Sequence, residues 1–76
     1  MKKVRIGIVG CGKITQASHA PALSALTEQA EITALYDIDP GKARTVAEDN
    51  HFQAAICRNF REFLNADTDA VIIATD

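Results

Sequence analysis

Four short apolar runs, separated by three stretches of helical periodicity, set the tightest limit on how this chain folds. Residues 4–9 are a β-branched run closed by Gly10, and residues 31–36, 54–57 and 70–74 are three more runs of strand character. Between the first two, residues 12 to about 27 place Ile14, Ala17, Pro21, Ala22, Ala25 and Leu26 at spacings of three and four, the pattern of one helix face. Pro21 sits within that pattern and is expected to kink or divide the helix. Asp39 followed by Pro40 is a helix start: the aspartate caps, and proline at the first helical position loses no hydrogen bond. A second helix over 40–49 then turns Ala43, Val46 and Ala47 inward, with Asn50 as its stop. Asn59 with Glu62 three residues on resembles a capping box and predicts a third helix of one or two turns that buries Phe60, Phe63 and Leu64. Residues 67–69 read as a loop, and the unbroken apolar run at 70–74 reads as a strand covered on both faces.

Strands alternating with helices predict an α/β fold with a parallel sheet and right-handed crossovers. In the doubly wound arrangement the strand order is 3-2-1-4. The chain has 76 residues, too few for two domains. At this size roughly 60% of the unfolded surface is buried, so the core is small. A 47% hydrophobic and 24% charged composition is that of a globular chain. The net charge of −2 comes from interspersed residues, with no basic stripe and only three Phe and one Tyr as aromatics, which argues against nucleic acid as a partner. Lys2, Lys3 and Arg5 imitate the start of a signal peptide, but the apolar run that follows is too short and is broken by glycines. No run approaches a membrane span. Cys11 and Cys57 form no CxxC pair or disulfide framework, so the expected location is cytoplasmic. Cys11 lies near a helix N-terminus, where a thiolate is favoured, yet its small size suits a tight turn better.

The glycine turn after the first strand carries the chemistry. Gly10-Cys11-Gly12-Lys13-Ile14-Thr15 is G-x-G-x-x-T, against a dinucleotide-binding fingerprint of G-x-G-x-x-G/A. It has the required context: a strand before, a helix after, and Asp37 at the end of the second strand, 25 positions beyond Gly12 where about 20 is usual. Gly10 permits the turn, and Gly12 lets a pyrophosphate approach the backbone. The Lys13 and Ile14 amides open a helix whose positive end faces the phosphates. Thr15 stands where a small residue packs helix against strand, and looser packing is expected there. The competing reading is a structural turn with a fortuitous aspartate. Asp37 can accept from both ribose hydroxyls and repels a 2′-phosphate, and Ile38 stands where an arginine would serve NADP, so NAD is favoured over NADP. Lys42 and Arg44 read as a solvated helix face. His19 reads as a packed or surface residue, and neither it nor His51 has a second ligand at metal-binding spacing.

The segments VRIGIVGCGKITQASHAPAL, EITALYDIDPGKARTVAE and FREFLNADTDAVIIATD resemble the N-terminal part of the glucose–fructose oxidoreductase, inositol dehydrogenase and rhizopine-catabolism (Gfo/Idh/MocA) family. The resemblance spans nearly the whole chain and rests on GCGKI, HAPAL at 19–23, YDIDP and DAVIIAT together. It implies an NAD(P)-dependent oxidoreductase acting on sugars, cyclitols or related polyols and carbonyls. Gly10, Gly12, Lys13 and Ile14, with Cys11 between the glycines, match the phosphate loop, and Asp37 matches the adenosine-ribose position. Ala74 and Thr75 match strand-four residues near the nicotinamide half. Asp76 occupies a position often proline or asparagine in relatives.

The family's Glu-Lys-Pro lysine and its C-terminal α/β substrate domain, which often also mediates homo-oligomers, lie outside these residues. The chain is therefore expected to be the N-terminal portion of a dinucleotide-binding domain, residues 1–76, from a longer parent. No catalytic or metal-binding residue is assigned within it. Alone it is expected to be inactive and to bind NAD weakly. A non-catalytic nucleotide-binding or sensing module, or a truncated inactive fragment, are the alternatives.

Overall fold

The computed structural model describes residues 3–13 and 15–74. The chain forms β1 (Val4–Val9), a π-helical turn (Thr15–His19) running into α1 (Ala20–Ser24), β2 (Ala30–Tyr36), α2 (Pro40–Asn50), β3 (Ala55–Ile56), α3 (Phe60–Leu64) and β4 (Ala70–Ile73). The strands pair in parallel in the order β3-β2-β1-β4, as the alternation predicts. None of the helices among the described residues is long and apolar enough to cross a membrane.

The strands carry the core on both faces of the sheet. Ile8, Ile32 and Leu35 pack with Cys11, Ala20, Ala43 and Val46 on the side of α1 and α2. Val9, Ala34 and Cys57 pack with Phe63 on the side of α3. Simple alternation cannot put Ile32 and Leu35 on one face. The register shows how they get there: Ile6 pairs with Ile32 but Gly7 pairs with Ala34, so Thr33 is an extra residue that resets the alternation.

The first helix departs from its expected form. Ala17, Pro21, Ala22, Ala25 and Leu26 are exposed, and the buried side is Thr15 and Ala20, flanked by half-buried His19, Leu23 and Ser24. Ile14 lies outside the described residues. A 3.6-residue period drawn from Gly12 fails because the first turn is π-helical and takes more residues per turn, which rotates every later position. Pro21 does divide the helix: it stands in the first turn of α1, where no donor is required of it. The helix then ends at Ser24, short of residue 27.

In α2, Asp39 caps as expected, accepting from the Gly41 amide at 2.9 Å. The stop is one residue later than predicted. His51, with φ 57°, takes the left-handed position, and the Phe52 amide donates back to the Ala47 carbonyl at 2.9 Å. The third strand is shorter than residues 54–57, although the Cys57 amide still donates to Leu35.

Asn59 caps α3 through the Glu62 amide at 2.8 Å, and Glu62 reaches back to the Arg58 amide rather than to that of Asn59. Only Phe63 is buried. Phe60 is 48% and Leu64 65% exposed, because a five-residue helix turns one position squarely onto the sheet. Tyr36, Phe60 and Phe63 form an aromatic cluster with centroids 6.0–6.5 Å apart. The fourth strand is likewise not covered on both faces: Val71 and Ile73 remain exposed on the α3 side, since α3 lies over β1 and β2.

Arg5 locks β4 to β1. Its amide donates to the Asp69 carboxylate at 2.9 Å, its guanidinium pairs with Asp69 and Asp67, and the Asp69 amide donates to the Arg5 carbonyl at 2.7 Å. A forked guanidinium held by two carboxylates fixes where β4 starts.

Two expectations follow from this packing. A methyl group on Gly7 would stand 2.7 Å from Cζ of Phe63 and 3.1 Å from Cγ2 of Thr68. Gly7→Ala should therefore lower stability by about 1–3 kcal/mol in urea denaturation, and adding Phe63→Leu should recover part of the loss. An unchanged midpoint for Gly7→Ala would show that α3 does not press on β1.

Cys11 is completely buried, and burial first, then the nearby Asp37 charge, push its thiol up from 9.0 to about 11. The folded chain holds this proton after the unfolded chain has lost it. The thiol's contribution is thus intact below about pH 9 and is lost as pH rises towards about 11. Thermal melts of Cys11→Ala should show a shallower alkaline decline than the parent, and Cys11 should resist iodoacetamide at neutral pH. Rapid alkylation of the folded protein would contradict this.

Candidate functional site

The C-terminal ends of β1, β2 and β4 converge on the Gly10–Lys13 loop, the crevice where open parallel sheets bind ligands. Gly10 leaves β1 with φ 95°, a conformation in which a side chain is strained. Its amide donates to the Tyr36 carbonyl at 2.8 Å, so the turn begins with a bond to the neighbouring strand.

Asp37, one residue past β2, is half-buried and uses both carboxylate oxygens. Oδ2 accepts from the Cys11 amide at 2.8 Å, and Oδ1 accepts from the Asp39 amide at 2.8 Å. The sequence placed Asp37 near the loop. The structure shows that it is also bonded to the loop. An ionised carboxylate has about four acceptor directions, so two remain for hydroxyl donors.

Cys11 turns its side chain into the core, and its thiol faces the Tyr36 carbonyl at 3.7 Å. It acts as a packing residue within the loop. Thr15 is also fully buried and sits without looseness: its hydroxyl donates to the Gly10 carbonyl. The Gln16 side-chain amide donates to the Cys11 carbonyl at 2.9 Å, and the Gln16 backbone amide to the Gly12 carbonyl at 2.9 Å. In the dinucleotide fingerprint Thr15 is only a departure and Gln16 has no place. Their polar side chains, one turn after a glycine loop, were the available signal.

Gly12 faces open space. A Cβ there meets no atom within 4 Å among the described residues, whereas Gly7 has none to spare. Lys13 is exposed beside it. The first amides of a helix have no acceptor within the helix, so the loop presents donors to an anion at a place free of side chains.

Ala74 lies across the crevice, and its amide donates to the Val9 carbonyl at 2.8 Å, which extends the β1–β4 pairing to the rim. Ile14 and Thr75, two further positions of the expected site, lie outside the described residues, as does Asp76. Ile38, next to Asp37, is 91% exposed and offers an apolar side chain at the same rim. Lys42 and Arg44 are exposed on α2, as a solvated face would be. No group of three or more His, Cys, Asp or Glu side chains gathers as for a metal among the described residues. A hollow of about 190 Å³ lined in part by Lys3, Leu23, Glu31, His51 and Phe52 lies at the N-terminal ends of the strands, away from this crevice.

Comparison with known proteins agrees with this geometry. Inositol 2-dehydrogenase of Acidothermus cellulolyticus is 35% identical over 74 residues, which are 97% of this chain and 21% of that protein. The structure of myo-inositol dehydrogenase from Lactobacillus casei in complex with NAD(H) and myo-inositol superposes with a TM-score of 0.86 at 29% identity, over 97% of this chain and 22% of that one. A super-repressor mutant of Gal80p from Saccharomyces cerevisiae also superposes, with a TM-score of 0.83 at 25% identity, over 97% of this chain and 20% of that one. This chain thus spans about a fifth of the length of the relatives it matches. The family model for the Gfo/Idh/MocA oxidoreductase family, NAD-binding Rossmann fold, matches residues 4–76, and the chain belongs to that family.

Proposed function

We propose that residues 1–76 are the N-terminal portion of a dinucleotide-binding domain and hold the adenosine and pyrophosphate half of NAD for an oxidoreductase. The observation that carries this reading is the open space at Gly12, set between a φ-restricted Gly10 and an anchored Asp37. In this assignment Gly10 makes the turn and Cys11 anchors the loop in the core. Gly12 and Lys13 face the pyrophosphate with their amides, and Ile14 and Thr75 are assigned to the cofactor by the family resemblance alone. Asp37 accepts from the adenosine ribose through its remaining lone pairs, and the exposed Ile38 side chain gives the base an apolar rest. Ala74 borders the path toward the nicotinamide. A carboxylate at 37 repels a 2′-phosphate, which supports NAD over NADP.

Bound NAD would supply the hydride acceptor. What this chain's residues do is bind it, orient it and keep its phosphates against the helix start. Hydride transfer also needs a group that moves the substrate's hydroxyl proton, and we assign that role to no residue here. The similarity to inositol dehydrogenases supports a polyol, cyclitol or other sugar-like substrate for a longer parent; for that parent we propose a cytoplasmic location and a homo-oligomeric state. The likeness to a Gal80p variant supports a second reading, in which the same half-site serves a regulatory protein. Oxidation of myo-inositol by the native-length protein with NAD separates the two.

Gly12→Val tests the site directly. A Cβ at this position has open space around it beyond its chain neighbours, so the thermal midpoint should stay near that of the parent while NAD affinity in calorimetry falls more than about tenfold. Retained affinity would place the pyrophosphate elsewhere. Asp37→Ala should weaken NAD and ADP-ribose binding and also lower stability, since the Cys11 and Asp39 amides both lose their acceptor.

A further inference from the structure

We propose that Thr15 and Gln16 are positioning residues that aim the loop's ligand-facing amides by holding the two carbonyls before them. This rests on the assignment of the Gly12 and Lys13 amides to the pyrophosphate. Thr15 stands where the dinucleotide fingerprint has glycine or alanine, residues that bring nothing to hydrogen-bond with. Here the side chain is fully buried, and its hydroxyl donates to the Gly10 carbonyl five residues back. Gln16 repeats the span with its side-chain amide on the Cys11 carbonyl at 2.9 Å. Both bonds run back from the first two residues of the π-helical turn, Thr15 and Gln16, to the loop that precedes it.

Peptide planarity turns a held carbonyl into an aimed amide. The Gly10 carbonyl and the Cys11 N–H belong to one rigid trans unit and point in opposite directions. That unit is clamped at both ends, by Thr15 on the oxygen and by Asp37 on the N–H at 2.8 Å. The next unit joins the Cys11 carbonyl to the Gly12 N–H. With the oxygen held by Gln16, the Gly12 N–H is directed the other way, away from the helix. The Gly10 amide is bound to Tyr36. Backbone polar groups of Gly10 and Cys11 are therefore all spoken for by the protein, and the loop is set before any ligand arrives. Preorganisation of this kind raises affinity by removing the cost of ordering.

The test uses the native-length protein and three variants: Thr15→Val, which keeps the shape without the hydroxyl, Thr15→Ser, which keeps the hydroxyl, and Gln16→Met. Amide hydrogen exchange is read residue by residue without ligand, and NAD and ADP-ribose affinities by calorimetry. Thr15→Val should speed exchange at Cys11 by about three- to tenfold, the worth of one neutral hydrogen bond, and weaken both ligands by a similar factor. Thr15→Ser should match the parent in both readouts, and Gln16→Met should weaken both ligands as Thr15→Val does. Unchanged exchange at Cys11 in Thr15→Val, unchanged affinity in Thr15→Val or Gln16→Met, or equal damage from serine overturns the proposal. So does acceleration spread equally through β1 and β2, which marks a merely structural residue. If the unsubstituted protein binds neither ligand, the dinucleotide reading fails, and the exchange comparison still decides whether Thr15 holds the loop.

Discussion

The ends of β1 and β2 are joined by one carboxylate. Asp37 takes the Cys11 amide of the glycine loop on one oxygen and the Asp39 amide on the other. Asp39 in turn caps α2. A charged acceptor on backbone amides forms stronger bonds than a neutral one, and these bonds need no countercharge. The chain of contacts runs from the loop, through the acid, into the start of the second helix. The distance between loop and acid is thus set by the protein's own bonding. The same carboxylate assigned to the ribose is a structural element of the loop.

A small chain must extract packing from both faces of its sheet, and it does so unequally. The face under α1 and α2 carries the larger cluster, built on Ile8, Ile32, Leu35, Ala43 and Val46. The opposite face depends on one short helix and mainly on Phe63, whose ring lies so close to Gly7 that no side chain fits between them. The extra residue at Thr33 serves both: it sends Ile32 and Leu35 to the first face and Ala34 with Tyr36 to the second. Tyr36 then joins the phenylalanines of α3, so the last residue of β2 braces α3 while its carbonyl receives the loop.

Within the loop, residues bonded to the fold and residues open to solvent are different ones. Gly10 and Cys11 are bound to the fold through amide and carbonyl alike, and Cys11 adds a buried side chain. Gly12 and Lys13 stand at the open side. Thr15, which departs from the pattern of small residues, is absorbed because its hydroxyl has a carbonyl to bond and its methyl a core to fill. A buried hydroxyl without a partner would cost about 1–3 kcal/mol, and the Gly10 carbonyl removes that cost.

Residue order alone determined the alternation of strands and helices, the parallel sheet in the order 3-2-1-4, the glycine turn with Asp37 opposite it, and the Asp39 and Asn59 caps. These depend on short-range signals, on side-chain periodicity and on the right-handed crossover, which leave few alternatives. The tertiary structure decided what local patterns do not encode. It chose the inward face of the first helix, because a π-helical turn shifts the phase of every residue after it. It exposed Phe60, Leu64, Val71 and Ile73, since burial depends on which surface lies opposite and not on hydrophobicity alone. It paired Arg5 with Asp67 and Asp69 across more than sixty residues, and it turned Asp37, Thr15 and Gln16 onto the loop. Hydrogen bonds and contacts of this kind exist only once distant segments have been brought together, so no window of sequence contains them.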